Sequence, residues 1–345
     1  MPLTLRAPDD FHVHLRQPPL LAPVAAETSR WFARVLVMPN TIPPVTTPER
    51  LNAYRRDIAA SLPSGRQLEP LMVFKVVPDL TPSDVAALAA AGAVGGKLYP
   101  QGVTTNSADG VTNVAALFPV FEAMEAHELV LEVHAELPGV FSLDRESAFL
   151  PTIERIASRF PRLRIVIEHA SSADTIAALD TLPETVAATV TVHHLVLTLD
   201  DVVGGELRPH NFCKPIAKRP RDRDAIREAV LGGHPRVFFG SDSAPHAREA
   251  KESDCGCAGV YTAPVAIPLL AGIFEDAGVP LAERDDGTSL EAFVSHRGAE
   301  FYRLPLNEGT ITLAEREWVV PDEYGGVVPF YAGAHLRYDL ARTGG

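Results

Sequence analysis

Cysteine is scarce in this sequence, and long apolar runs are missing from it. Only three cysteines occur in 345 residues, Cys213, Cys255 and Cys257, too few and too unevenly spaced for a disulfide framework. No stretch approaches the roughly 18 consecutive apolar residues of a membrane span, and no apolar run follows a basic start at the N-terminus. We therefore expect a cytoplasmic protein that forms no membrane span.

Basic residues are also in short supply. Lys and Arg number 31 against 44 Asp and Glu, so nucleic acid or an anionic membrane would have to bind against a formal charge of −13. The first apolar run is not followed by G-x-G-x-x-G or G-x-x-x-x-G-K-[ST], which leaves a nucleotide-binding hypothesis without a phosphate cradle. We expect a small-molecule substrate, with neither nucleic acid nor membrane as a partner.

Short β-branched runs alternate with longer Ala- and Leu-rich segments, as in parallel βα units. Segments after several runs begin with helix N-cap signatures, such as Thr47 before Pro48. Near-continuous hydrophobic strands are buried on both faces, so eight of them predict an α/β protein with a closed (β/α)₈ TIM barrel, an open doubly wound sheet being the weaker alternative. We expect one domain over residues 1–345, closed by C-terminal segments at about 304–345. The eight runs are residues 11–15, 34–38, 71–77, 94–99, 129–133, 163–167, 186–192 and 236–239.

Side chains with metal-binding chemistry stand at or near the ends of these runs. Because the carboxyl ends of barrel strands converge on one face, residues far apart in sequence would share one pocket there. Imidazole suits Zn²⁺ and its neighbours, and five histidine and aspartate ligands exceed the needs of one tetrahedral ion, which favours two divalent ions. The residues concerned are His12, His14, Lys97, His134, His169 and Asp242, with Asn40 after the second run.

Lys97 is the unusual member of this set, because an ammonium beside cations would be repelled. Carboxylation by CO₂ would convert it into N6-carboxylysine, an anion able to bridge two metals. An unmodified lysine that binds substrate is equally compatible with the sequence. Such a site would accept Zn, Co or Mn, and Zn²⁺ is the ion we expect.

Two further groups of possible ligands favour ordinary structural roles. His193 and His194 end the seventh run, and we interpret them as outer-sphere or packing residues. Cys255 and Cys257 resemble a metal clip, but no second Cys/His pair has the usual spacing, so a loop is the preferred interpretation.

Taken in order, the strand-end motifs resemble those of the dihydroorotase family, of the compact bacterial type within the amidohydrolase superfamily. The resemblance runs through nearly the whole chain, and the ordered set is far more specific than any one motif. The motifs are HVHLR (12–16), MPNT (38–41), GKLYP (96–100), TTNS (104–107), VHAE (133–136), EHA (168–170), GELRPHNFC (205–213), GSDSAPH (240–246) and KESDCGCAG (251–259).

This resemblance implies reversible cyclisation of N-carbamoyl-L-aspartate to L-dihydroorotate in pyrimidine biosynthesis, by a homodimer. It implies that Asp242 acts as general acid and base beside a hydroxide that, with Lys97, bridges the ions. The implied ligands are His12, His14, Lys97 and Asp242 for one ion, and Lys97, His134 and His169 for the other. The implied substrate contacts are Arg16, Asn40 and His246 to the carboxylate, Ala258 through its backbone, and Thr104 and Thr105 in a closing loop.

Two departures from the family pattern and two rival functions remain. Lys214 stands where some relatives carry leucine, and Gln17 replaces an acidic residue; neither change removes a ligand.

A hydantoinase or allantoinase would share most metal ligands but usually carries a β-sandwich segment before the first barrel strand, for which His12 leaves no space. A catalytically silent barrel that serves as a scaffold is the other alternative, and the complete ligand set argues against it.

Overall fold

The eight predicted strands form one parallel sheet whose spatial order follows the chain, from β2 to β9. The computed structural model describes residues 2–103, 110–284 and 287–341, and all statements of structure below concern those residues. The strands are β1 (Leu3–Arg6), β2 (Asp9–Val13), β3 (Arg34–Val37), β4 (Glu69–Val76), β5 (Ala93–Leu98), β6 (Val130–Val133), β7 (Ile165–Ile167), β8 (Val186–Val190), β9 (Val237–Phe239), β10 (Thr310–Val319) and β11 (His335–Leu340). The predicted (β/α)₈ barrel is confirmed.

The barrel closes where the segment after β9 returns to β2. The Asp242 amide donates to the His12 carbonyl at 2.8 Å, and the His14 amide donates to the Ser243 carbonyl at 3.0 Å. Val13 and Ser243 are paired in parallel at this seam. The first and last barrel strands therefore meet at the residues expected to bind metal.

Helices cover the outside of the barrel, and α2 and α3 begin at residues whose side chains cap the first helical turn. Thr47 accepts from the Arg50 amide at the start of α2, and Thr81 forms a reciprocal capping box with Asp84 at the start of α3. The helices are α1 (Leu21–Trp31), α2 (Pro48–Ser61), α3 (Pro82–Ala90), α4 (Phe118–Ala126), α5 (Arg145–Arg159), α6 (Ala173–Leu179), α7 (Val192–Val196), α8 (Asp200–Val203), α9 (Pro220–Leu231), α10 (Arg248–Lys251), α11 (Ala266–Asp276) and α12 (Arg297–Tyr302).

The hydrophobic side chains divide into two layers. The larger cluster lies between the strands and the surrounding helices, and the smaller one includes Phe11, Val73 and Phe238 and fills the amino-terminal part of the barrel. Tyr302 of α12 stacks on Phe11 with ring centroids 4.8 Å apart and so closes that end. The opposite, carboxyl-terminal mouth, where barrel enzymes build their sites, carries the histidines and Asp242, whereas a buried Asp9–Arg34 ion pair lies at the first residues of β2 and β3.

A three-stranded antiparallel sheet joins the two ends of the chain outside the barrel. Its order is β1–β10–β11, with Leu3 opposite Leu313 and Leu313 opposite Leu340. The C-terminal segment is thus fastened to the strand that precedes the barrel. Among the described residues, no helix is long and apolar enough to cross a membrane.

Candidate metal centre and substrate pocket

His12, His14 and Asp242 meet at the seam between β2 and β9. Oδ1 of Asp242 lies 3.3 Å from Nε2 of His12 and 3.2 Å from Nε2 of His14. Burial alone would raise the pKa of the Asp242 carboxyl, but the charge of His12 and the hydrogen bonds of both imidazoles hold that pKa well below its usual range. The Asp242 side chain is therefore a carboxylate, the form that binds cations.

His134 and His169 form a second pair directly across the mouth. They follow β6 and β7, and Nδ1 of His134 lies 3.1 Å from Nε2 of His169. The His169 backbone has φ +46°, a left-handed conformation uncommon for a residue with a side chain. Its ring lies 5.0 Å from the His12 ring, centroid to centroid, so the two pairs belong to one cluster.

Lys97 lies on β5 inside this cluster and is fully buried. Two glycines lead up to it, and a Cβ on Gly96 would lie 2.6 Å from the Phe74 ring, so close packing on that strand requires glycine. Burial lowers the pKa of the Lys97 ammonium, against the opposing charges of Glu168 and Glu132. β5 therefore places a fully buried lysine in the cluster, and burial makes its neutral form easier to reach than that of an exposed lysine.

Several buried polar atoms around the cluster have no hydrogen-bond partner among the described residues. They include Nζ of Lys97, Nδ1 of His169 and Oε1 of Glu168. Buried polar groups left without partners cost free energy, so their grouping at one mouth points to chemical groups that complete the site. Imidazole nitrogens and a carboxylate are donors that suit divalent transition ions. The residues present fit a metal centre.

Two carboxylates that the sequence analysis left without a role orient the histidines. Oε2 of Glu168 lies 2.7 Å from Nδ1 of His12, and Oε2 of Glu136 lies 2.6 Å from Nε2 of His134. Each contact occupies the ring nitrogen that faces away from the cluster and so fixes the tautomer, as outer partners of metal-bound histidines do. Both glutamates were present in the EHA and VHAE motifs, where a carboxylate beside a predicted ligand was the available signal.

Arg16, His246 and Ala258 lie together at the rim. The Arg16 Nε donates to the Pro245 carbonyl at 2.8 Å, and its Nη2 lies 3.0 Å from Nε2 of His246. That imidazole nitrogen is also 3.1 Å from the Ala258 carbonyl. Burial and the Arg16 charge lower the pKa of His246 to about 3, so its ring is neutral. A guanidinium held along one edge is well placed to pair with an anion.

Asn40 lies close to the candidate metal centre, and its side chain contacts His14, one of the predicted metal ligands. Its Oδ1 lies 2.8 Å from Nδ1 of His14, so it accepts from that imidazole and fixes its tautomer. Asn40 therefore has a positioning contact in addition to the substrate contact that the family resemblance implies. Thr104 and Thr105 lie outside the described residues.

The open space at the mouth has two parts. The histidine cluster encloses about 20 Å³, and its lining includes Tyr99, Lys214 and Ala258. An adjoining open cavity of about 430 Å³ shares His14, Arg16 and Asn40 with it. The arrangement offers a small pocket for ions beside a larger space for an organic anion. Lys214, one of the two departures from the family pattern, lies on the lining of the small pocket.

Comparison with known proteins gives similarity along the whole chain. A family model described as Amidohydrolase matches residues 46–258. A dihydroorotase of Teredinibacter turnerae is 43% identical, with 99% of each chain covered. A Campylobacter jejuni dihydroorotase crystal structure superposes with a TM-score of 0.89 at 38% identity, covering 99% of this chain and 98% of the other. The Saccharomyces cerevisiae dihydroorotase in complex with 5-fluoroorotic acid has a TM-score of 0.90, 35% identity and the same coverage.

Proposed function

Because this chain belongs to the dihydroorotase family of the amidohydrolases, we propose that it interconverts N-carbamoyl-L-aspartate and L-dihydroorotate, the ring-closing step of pyrimidine biosynthesis. The observation that carries the proposal is the cluster of four histidines, Lys97 and Asp242 at one mouth of the barrel. The hydantoinase and silent-scaffold alternatives have weaker support: an L-hydantoinase and an inactive dihydroorotase-like domain share the fold at 16% and 17% identity, against 43% identity to a dihydroorotase.

Two divalent ions, Zn²⁺ by expectation, would be held by His12, His14, Lys97 and Asp242 on one side and by Lys97, His134 and His169 on the other. When bound, such ions supply Lewis acidity, which activates water near neutral pH and polarises the amide carbonyl of the ring. For Lys97 to serve both sides, its neutral Nζ would attack CO₂ to form an N–C bond and release one proton. The buried, unpartnered Nζ supports this modification.

Asp242 would carry the proton during the reaction. Its carboxylate begins unprotonated, because the two imidazoles beside it hold its pKa low. In ring opening it accepts the proton of the attacking water and then delivers it to the departing ring nitrogen; in ring closure the transfers reverse. The hydrogen bond from its amide to the His12 carbonyl fixes the backbone from which the carboxylate works.

The rim would bind the substrate carboxylate that does not react. Arg16 offers a planar fork whose Nε is already fixed by the Pro245 carbonyl, so little ordering is left to do when an anion arrives. Neutral His246 borders the larger cavity, Ala258 borders the small pocket, and Asn40 borders both. Together they would orient the ring carbonyl over the cluster. Thr104 and Thr105, by their place in the sequence, would close over the substrate.

The direct test measures ring opening of L-dihydroorotate by the metal-loaded protein, monitored as the loss of substrate absorbance. Lys97→Ala and Asp242→Asn are each expected to abolish turnover. Glu308 is an exposed carboxylate outside the strand-end motifs, so Glu308→Gln should leave turnover intact. Metal content measured on the same samples separates loss of ions from loss of the proton carrier. Normal turnover by Lys97→Ala would refute the carboxylated-lysine centre.

We further propose a cytoplasmic homodimer, in keeping with the scarcity of cysteine and with the family resemblance. Sedimentation of the purified protein across a range of concentrations tests the assembly. A monomer at all concentrations would contradict it without affecting the proposed chemistry.

A further inference from the structure

A second group of metal-binding side chains lies outside the proposed centre. His193 and His194 are on α7, just after β8, and Cys213 lies between α8 and α9, in contact with His194. All three side chains are buried, and one ligand atom from each lies within 4.8 Å of the other two. The proposed reaction uses none of them.

Packing alone does not explain why His193 is buried. Neither of its ring nitrogens has a hydrogen-bond partner among the described residues, although the side chain is fully buried. The ring lies 4.5 Å from the His194 ring, centroid to centroid. A buried imidazole with both nitrogens unsatisfied costs free energy that a bound ion would recover.

His194 and Cys213 share contacts that can be exchanged for a metal. The Cys213 Sγ lies 3.7 Å from Nε2 of His194, and both atoms contact the Pro215 carbonyl, at 3.2 and 3.0 Å respectively. Nδ1 of His194 lies 2.9 Å from the Thr191 hydroxyl. Because a carbonyl only accepts, Nε2 of His194 donates to Pro215 in the metal-free structure, and metal binding would move that proton to Nδ1, where the Thr191 hydroxyl can accept it. The Pro215 carbonyl is then available as an oxygen donor.

We propose that His193, His194 and Cys213 bind a thiophilic divalent cation of the zinc type at a site separate from the histidine–aspartate centre. Imidazole and thiolate are both zinc ligands, and two imidazoles with one thiolate leave a fourth position for the Pro215 carbonyl or a water. On binding, the Cys213 thiol loses its proton to solvent as the sulfur–metal bond forms. The ion and the thiolate together carry one positive charge.

This site would link metal binding to the edge of the substrate pocket. Cys213 and Pro215 flank Lys214, which is on the pocket lining. A cation shared between α7 and this segment would fix the position of Lys214 relative to β8. The effect is a local one on the pocket edge, in addition to any contribution to stability.

Absorption spectroscopy with Co²⁺ separates the two sites, because the proposed centre contains no sulfur ligand. Protein stripped of metal with a chelator is titrated with Co²⁺, and the near-ultraviolet thiolate-to-cobalt charge-transfer band is followed. The band should appear and saturate at the intensity of one thiolate–cobalt bond per chain, and it should vanish in Cys213→Ser. It should persist in the Cys255→Ser/Cys257→Ser double variant. Absence of the band in the unaltered protein would overturn the proposal, as would a band that disappears only with Cys255 and Cys257.

His193→Gln provides a second variant that keeps the thiol, in case Cys213→Ser does not fold. Circular dichroism checks the fold of each variant. Loss of a direct ligand should weaken Co²⁺ binding at least as much as the roughly 10- to 100-fold that follows removal of an outer partner. Unchanged Co²⁺ affinity in a folded His193→Gln protein would show that this imidazole is not a ligand.

Discussion

Nδ1 of His12 lies 2.7 Å from Oε2 of Glu168, and both side chains are buried. This carboxylate fixes the His12 tautomer, so Glu168→Gln is expected to weaken metal binding or activity by roughly 10- to 100-fold. Zinc retained after dialysis against a chelator, and turnover at saturating zinc, measure the two effects. The exposed Glu308→Gln is the control, and equal zinc retention in both variants would contradict the assignment.

Thr189 connects Glu168 to His169, a member of the second histidine pair. Its hydroxyl donates to Glu168 at 2.6 Å and accepts from the His169 amide at 2.7 Å. Thr189→Val keeps the shape but removes both contacts, leaving a buried amide unpaired at a cost of about 1–3 kcal/mol. We expect a lower free energy of unfolding and weaker metal retention in the same variant. A fall in stability with unchanged zinc retention would confine Thr189 to a structural role.

Arg16→Lys tests the substrate fork without removing the positive charge. Lysine cannot donate to the Pro245 carbonyl and the substrate carboxylate with the same planar geometry. Loss of one charge-assisted hydrogen bond, about 1.5–3 kcal/mol, lowers kcat/KM by roughly 10- to 100-fold. Arg66→Lys, in an exposed loop, is the matched control. Steady-state kinetics that do not distinguish these two variants would rule out Arg16 as the carboxylate anchor.

Lys251 holds the backbone on either side of Ala258. Its Nζ donates to the carbonyls of Phe212, Cys257 and Gly259 at 3.0, 2.8 and 2.7 Å. Lys251→Met should release this segment and raise KM by about tenfold, the equivalent of one such hydrogen bond, with a smaller change in kcat. Arg248→Met, at a half-buried position on the same short helix, is the comparison. A fall in kcat alone would contradict a positioning role.

Glu146 and Lys218 form a buried ion pair with a separation of 3.1 Å between carboxylate and ammonium. Burial alone would raise the pKa of Glu146, but Lys218 and several hydroxyl and amide donors lower it to about 2. A carboxyl with a lowered pKa stabilises the fold above its ordinary pKa of 4.5, and this contribution is lost as the pH falls towards 2. Glu146→Gln should cost about 3 kcal/mol at pH 7.

Urea denaturation at several pH values measures this contribution. The difference in unfolding free energy between the unaltered protein and Glu146→Gln should shrink as the pH falls from about 5 towards 2. Glu128→Gln breaks an exposed ion pair with Arg303 and should cost less than about 1 kcal/mol. A pH-independent difference for Glu146→Gln would show that packing, not charge, dominates there.

The barrel was predictable because its signals are local. Short β-branched runs and N-caps such as Thr47 depend on neighbouring residues, and the rule that strand ends converge then brings distant ligands together. The β1–β10 pairing was not predicted, since it joins Leu3 to Leu313 and β10 carries exposed charged residues that resemble a loop. Whether residues 1–345 act as one domain stays a prediction.

The orientation of side chains around the site could not be read from residue order. Asn40 accepts from His14, and Glu168 from both His12 and Thr189, only because rotamers and backbone turns bring those atoms together. The left-handed backbone at His169 is an example, since no sequence signal marks a histidine that must adopt it. The ligand types were therefore predictable, but the partners that fix each tautomer were not.

The seam where the Asp242 amide meets the His12 carbonyl has a consequence for biosynthesis of the protein. A ribosome exposes His12 long before β9 has been made, so the emerging chain holds only part of the ligand set. High-affinity metal loading must then wait until the last barrel strand docks against the first. Incomplete chains that end before β9 would contain the histidines but lack the geometry that binds an ion.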